Sequence, residues 1–189
     1  VSSPGKVFVD ANVLVSTWTT DILLTLAERG FFEPRWSDRI MEEACEALCG
    51  MNRDRGWVTK YLGEIDAAFE CAAVVIEAGD LDGIVLPDPN DRHVVAGAVL
   101  GGCGVVITYN LKDFPESSLE GVGVRAIHPD DFIMRVVEED PEGVLSAVRS
   151  LVAAKKHPPR TMTEEIAGLR AARLLKFADF LDRRTNPRE

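Results

Sequence analysis

The chain has 189 residues, 46% hydrophobic and 28% charged, with a net charge of -10. That allows one well-buried domain with a small appendage, excludes disorder over most of the length, and leaves no apolar run near the ~20 residues of a membrane span. The negative charge argues against a nucleic-acid partner, but unevenly: residues 1–134 hold 10 Lys and Arg against 22 Asp and Glu, net -12, and residues 135–189 hold 11 against 9, net +2. A carboxylate cluster that bound divalent cations would reverse the local potential of the acidic part.

Val7–Val9 is predicted as a short buried strand, and it ends on a carboxylate and an amide, Asp10 and Asn12. "TTDILLTLAERG" has a Thr/Asp start, apolar Ile22, Leu23, Leu26 and Ala27, and a terminal Gly30, so it reads as a helix. "SDRIMEEACEALCG" repeats the arrangement with Ser37 as cap and Gly50 as stop. Trp57 to Cys71 is a third helix, and "AAVVIE" reads as a strand. Asp88 and Pro89 then open a helix with Val94, Val95, Ala98 and Val99 on its apolar face, which Gly101 and Gly102 end. "VVIT" is the best central strand, and a last strand runs from about Val124 to Ile127. Strands alternating with helices of this length imply a parallel sheet covered on both faces. From Pro129 onward the pattern is helical, interrupted by a linker at "HPPR", residues 157–160. The chain thus divides into an α/β domain over 1–134 and a helical extension over 135–189. Cys45, Cys49, Cys71 and Cys103 lack the paired spacing of a disulfide framework or zinc knuckle and read as reduced structural thiols.

In an open parallel sheet, strand ends and the starts of the following helices share one edge. Asp10, Asp88, Asp91, Asn110 and Asp113 all fall on that edge. On a helical wheel Glu43 lies nearest the apolar stripe of its helix, whereas Glu46 lies opposite it. Several carboxylates in one crevice repel each other unless a cation or protons compensate, and an oxygen-only set suits Mg²⁺ or Mn²⁺. Capping explains one aspartate but not the joint placement of Asp10 and Asp91; Asp88, before a proline-started helix, reads as a cap. Arg92 and His93 read as solvated surface.

Four motifs in order carry a resemblance: Asp10-x-Asn12-Val-Leu after a hydrophobic strand, Ser37 followed by Glu43, "DPNDRHVVAGA", and "ITYNLKDF". Together they resemble a PIN domain, the metal-dependent ribonuclease fold of VapC-type toxins, over residues 6 to about 132. The helical tail is similar to the extension of a longer VapC-like subgroup. The resemblance implies a three-layer α/β/α, Rossmann-like parallel sheet and an endoribonuclease that hydrolyses phosphodiester bonds with metal-activated water. It also implies Asp10, Glu43 and Asp91 as acidic ligands of Mg²⁺ or Mn²⁺, with a fourth position after the last motif strand. Many members carry an aspartate where this chain has Asn110; others read N-x-x-D-F, which assigns the fourth acid to Asp113 and makes Asn110 its neutral partner. Asn12 and Thr108 are expected to orient the ligands from behind. The family also implies an RNA substrate, a cognate protein antitoxin that inserts a basic side chain into the crevice, and a homodimer; with no membrane-length apolar run and no signal-peptide layout at the N-terminus, no membrane association and a cytoplasmic location are expected. Two competing readings are a non-catalytic binding module of the same fold and an aspartate-based phosphotransfer domain, for which Asp10 lacks the usual neighbouring acid. The tail cations, among them Lys155, Lys156, Arg160, Arg170 and Lys176, read either as a phosphate track or as ordinary solvated helix faces.

Overall fold

β1 (Lys6–Val9) is the short apolar strand expected from its sequence, and its last three residues are buried. It forms parallel ladders on both sides, with β2 (Glu33–Arg35) through Val7 opposite Pro34, and with β3 (Val105–Ile107) through Val7 opposite Val105. β4 (Arg125–Ile127) adds in parallel beyond β3, giving the order β2-β1-β3-β4. This is the parallel α/β architecture predicted. The geometry comes from a computed structural model, which describes residues 5–156 and 158–185.

Among these residues the chain forms two compact units. One comprises the chain up to Val15 together with Phe32–His128; the other joins Ser16–Phe31 to the chain from Pro129 on.

The first unit holds the sheet. After β1 come α1 (Ala11–Leu14), α3 (Asp38–Gly50) and α4 (Arg55–Ala68), then α5 (Arg92–Leu100) before β3 and α6 (Glu116–Leu119) before β4. Ser37 caps α3 as predicted, its hydroxyl accepting from the Ile40 amide. α3 runs one residue past its expected stop, with Met51 as the C-cap, and α4 starts two residues early because Asp54 caps it through the Trp57 amide. α5 is buried on nearly all sides. It approaches β1 so closely that a Cβ at Gly97 would stand 2.4 Å from the Phe8 ring. Only a residue without a side chain allows that approach.

One expectation fails here, and one strand was not foreseen. "AAVVIE" forms no ladder: Ala73 makes a single bridge to Trp36, and Val75 is 81% exposed. The strand on that side is β2, whose Pro34 hides it from propensity arguments but is tolerated at a sheet edge.

The second unit is helical: α2 (Thr17–Glu28), α7 (Pro129–Glu139), α8 (Pro141–Ala154), α9 (Met162–Ala171) and α10 (Leu175–Thr185). α2 starts two residues before the expected Thr/Asp signal, with Ser16 as cap through the Thr19 amide. The long helical pattern after residue 162 splits in two, because Arg173 adopts a left-handed conformation (φ 67°). Of the predicted linker, His157 lies outside the described residues; Pro158 to Arg160 are non-helical.

All four cysteines are free. Cys103 is buried as expected and Cys71 is exposed, which does not fit a structural thiol. No helix among the described residues is long and apolar enough to cross a membrane.

Candidate functional site

The chain leaves β1 toward β2 on one side of the sheet and later returns to β3 on the other, so the crevice between the carboxyl ends of β1 and β3 is a topological switch point, where open parallel sheets bind ligands. Asp10 follows β1 and Thr108 follows β3 at this crevice. The Asp10 amide donates to the Ile107 carbonyl at 3.1 Å and the Thr108 amide to that of Ile127 at 3.1 Å, so the backbone ladder sets both residues.

The Asp10 side chain is 7% exposed. Its Oδ2 accepts from the Thr108 hydroxyl at 2.7 Å and from Asn12 Nδ2 at 2.6 Å. Asn12 Nδ2 also reaches Thr108 Oγ1 at 3.0 Å, and Asn12 Oδ1 accepts from the Tyr109 amide at 3.0 Å. Thr108 Oγ1 in turn accepts from the Asn110 amide at 2.9 Å. Asn12 and Thr108 thus fix one carboxylate oxygen from behind and tie β1 to β3. Although Asp10 stands at the N-cap position of α1, its side chain makes no capping bond. Burial drives its carboxyl above the ordinary value; the Thr108 and Ala11 bonds oppose this, and the negative charge of Glu43 adds to it.

Asp91 repeats the pattern. It occupies the N-cap position of α5 without capping it, whereas Asp88 does cap, accepting from the Asn90 amide at 2.9 Å as predicted. Partial burial, followed by the like charges of Asp10, Asp88 and Asp113, pushes the Asp91 carboxyl from 3.8 up to about 6. Asp113 sits in a 3-10 turn (Leu111–Asp113), where the Asn110 side-chain amide donates to its Oδ2. The acid and the amide of "NLKD" are therefore partners.

Glu43 is half-buried, while Glu42 and Glu46 are exposed, as the wheel predicted. Its Oε1 meets Arg39 Nε at 3.0 Å and His93 Nε2 at 3.0 Å. Burial raises its carboxyl, but His93 and Arg39 more than offset this and leave it below the ordinary value. Arg39 Nη2 also donates to the Asn90 carbonyl at 3.3 Å, linking α3 to the turn that carries Asp91.

His93 corrects the expectation of solvated surface: it is 2% exposed. Its Nε2 lies 3.0 Å from Glu43 Oε1, and Nδ1 has no hydrogen-bond partner among the described residues. His93 begins the run of buried residues that continues through Ala98, so α5 offers no exposed face against which a wheel could set it apart. Arg92 stays at the surface side, its Nε donating to the Pro89 carbonyl at 3.2 Å.

Asp10, Glu43, Asp91 and Asp113 therefore lie within electrostatic reach of one another, linked pairwise through Asp10 to Glu43 and through Asp91 to Asp10 and Asp113. Among the described residues, no three His, Cys, Asp or Glu side chains stand close enough to share one ion. The set consists of oxygen donors with unbalanced negative charge, which suits a hard dication, and Glu43 would have to turn from Arg39 and His93 to join it.

Residues 6–112 match the PIN domain family model, and residues 129–183 match the model described as VapC50 C-terminal domain. The chain is 38% identical over 71 residues to a protein of Mycobacterium tuberculosis named "Putative ribonuclease VapC50". The aligned part is 38% of this chain and 42% of that protein, so the match spans less than half the length of this curated relative. No solved structure matches the chain.

Proposed function

Because the chain belongs to the PIN domain family, we propose that it is a metal-dependent endoribonuclease and the toxin of a VapBC-type toxin–antitoxin pair. The observation that carries this reading is the joint placement of Asp10 and Asp91. Both occupy helix starts, neither closes a capping bond to its helix, and the charge of Asp10 raises the cost of ionising Asp91. Helix capping does not account for Asp91, whose carboxylate makes no bond to the amides of α5.

In this reading Asp10, Glu43, Asp91 and Asp113 hold Mg²⁺ or Mn²⁺. Such a dication supplies positive charge that activates water and stabilises the charge developing on the scissile phosphate. The protein's own groups prepare the place for it. Thr108 and Asn12 fix the rotamer of Asp10, and Asn110 fixes that of Asp113. Arg39 and His93 keep Glu43 ionised. Hydrolysis by this route leaves a 5′-phosphate and a 3′-hydroxyl and needs no 2′-hydroxyl nucleophile, so selection of RNA rests on contacts to unpaired bases.

A VapB-type antitoxin would silence the site by placing an Arg or Lys in the carboxylate crevice, where it displaces the dication. We further propose a homodimer with the early helices at its interface.

One observation favours the alternative of a PIN-fold module that binds without cutting: Glu43 is engaged by Arg39 and His93, and among the described residues no three acids stand close enough to share an ion. Digestion of an RNA pool with Mg²⁺ or Mn²⁺, beside Asp10→Ala and Asp91→Ala, decides between them. The nuclease cuts only with the dication and leaves 5′-phosphate ends, and each variant loses about 10²-fold or more, as when a charge-stabilising group is removed. Equal cleavage by wild type and variants, or cleavage unaffected by chelator, overturns the assignment.

A further inference from the structure

Arg39 is a cation at the edge of the acid cluster whose bonds leave part of it unused. It stands in the first turn of α3, with its side chain 45% exposed. Nε lies 3.0 Å from Glu43 Oε1, and Nη2 donates to the Asn90 carbonyl at 3.3 Å, one residue before Asp91. A guanidinium carries five N–H donors in a planar fork. These two bonds take Nε and one hydrogen of Nη2, and among the described residues the group has no other hydrogen-bond partner. The remaining end, Nη1 beside the second Nη2 hydrogen, is the pair that grips a phosphate by two parallel bonds.

Two other cations stand beside the acids, and neither is anchored in this way. Arg92 has one backbone bond, to the Pro89 carbonyl, and Lys112 is an exposed point charge on a flexible stem. Arg39 is tied to both α3, which carries Glu43, and the turn that carries Asp91, so its open end is held in place relative to two acids of the site. A group already ordered loses little freedom on binding. Charge alone does not bring an anion here, because Asp38 and Glu42 line the same rim as Arg39. A dication among the four acids reverses that potential. We propose that Arg39 is a substrate-binding residue, which takes a backbone phosphate of the RNA strand on the open end of its guanidinium at the edge of the loaded acid cluster. The inference rests on the nuclease reading for the dication, and on the bonding of Arg39 for the phosphate.

The test uses the full chain and a short labelled single-stranded RNA. Stopped-flow anisotropy in saturating Mn²⁺ reads binding before any cutting. Arg39→Gln is expected to bind the strand about tenfold or more weakly, as for a lost charge-assisted bond, and to lower the slope of log affinity against log salt by about 0.7, one phosphate contact. Arg39→Lys, which keeps the charge without the fork, is expected to restore the slope but only part of the affinity. Arg92→Gln and Lys112→Gln are expected to lose less than Arg39→Gln. Unchanged affinity in Arg39→Gln, full affinity in Arg39→Lys, or equal losses in all three glutamine variants overturns the assignment; the last would mark a diffuse field.

A second measurement separates phosphate binding from a role exerted through Glu43. Mn²⁺ binding to the RNA-free chain, read from the EPR signal of the free ion, should be no weaker in Arg39→Gln than in the wild type, because removing a cation beside carboxylates does not disfavour a dication. A drop in Mn²⁺ affinity large enough to account for the lost RNA binding means that Arg39 only positions Glu43, and overturns the proposal. Cleavage that depends on Asp91, with RNA affinity independent of Arg39, overturns the proposal and leaves the nuclease standing. Arg39-dependent RNA binding without cleavage supports the proposal and removes the nuclease, and a wild type that does not bind the strand overturns both.

Discussion

Asp91 is the residue at which the site's electrostatics are most readily measured. Its carboxyl stands at about 6 in the folded chain against 3.8 for a free side chain, through burial and the charges of Asp10, Asp88 and Asp113. Between those two values the folded protein keeps a proton that the unfolded chain has released. By linkage, stability falls as pH rises through this window and stays lower above it. Thermal melts of the metal-free protein from pH 4 to 7 should therefore show a loss that Asp91→Asn lacks; and if Asp91 holds the cation as proposed, the gain in Tm on adding Mn²⁺ should grow as pH passes 6, because cation and proton would then compete for the same oxygen. A wild type and Asp91→Asn with parallel pH profiles would show that the carboxylates do not interact. The nearness of Asp10, Asp91 and Asp113 was legible because strand ends and helix starts share one edge in a parallel sheet, which chain order alone reveals. His93 was not. A helical wheel separates inside from outside only when one face meets water, and α5 has almost no such face.

Among the elements, α10 shows how a distant residue completes a local structure. It begins at Leu175, directly after the left-handed Arg173 and the apolar Leu174, so no side chain of its own can cap it. Asp130 of α7 does so from 46 residues away: it is 5% exposed, its Oδ2 accepts from the Lys176 amide at 2.8 Å and its Oδ1 from the Phe177 amide at 3.0 Å. In sequence Asp130 looks like an acid favouring the start of its own helix, and nothing local distinguishes the two uses. Asp130→Ala should cost about 2–3 kcal/mol, a lost cap plus two amides, that of Phe177 buried, left without partners, and Asp130→Asn clearly less, since its amide oxygen still accepts one bond. Urea unfolding of both variants measures this; equal and small losses would mean that water takes over the amides. The same limit explains the elements read wrongly. β2 was missed because its strand state depends on β1 beside it and not on Pro34, and "AAVVIE" was taken for a strand because β-branched residues were present, although it makes only one bridge, through the Ala72 carbonyl and the Val74 amide to Trp36. β1, α3, α5, β3 and β4 were legible because apolar pattern and end signals agreed in each.

At the scale of the molecule, sequence order and compactness divide the chain differently. A boundary near residue 134 separates the acids from the helical extension along the chain, yet α2, from residues 17–28, belongs with the extension. It packs on α8 and α9, a Cβ at Gly168 would stand 2.4 Å from the Trp18 ring, and Arg160 stacks over that ring at 4.0 Å. Lys155 pairs with Asp21 at 2.6 Å, and Arg160 with the buried Glu165 at 2.9 Å. Arg170 pairs with Asp179, Lys176 with Asp131 and Arg184 with Glu142, so much of the tail's positive charge is already answered by carboxylates of the same unit. Those contacts favour solvated, structural helix faces over a phosphate track. They also make the extension a partner that α2 cannot lose. A chain ended after His128 keeps the sheet and all four acids but releases Ile22, Leu23 and Leu26, each no more than 2% exposed, to water. At ~1.5–3 kcal/mol per buried aliphatic side chain, the loss is about 5 kcal/mol or more, comparable to the whole margin of many domains. The shortened chain should melt well below the full one, bind a hydrophobic dye and aggregate on warming, and replacing Leu23 and Leu26 by polar residues in it should suppress the dye binding. If it melts cooperatively at the full chain's temperature, α2 has another partner and the extension is dispensable for folding.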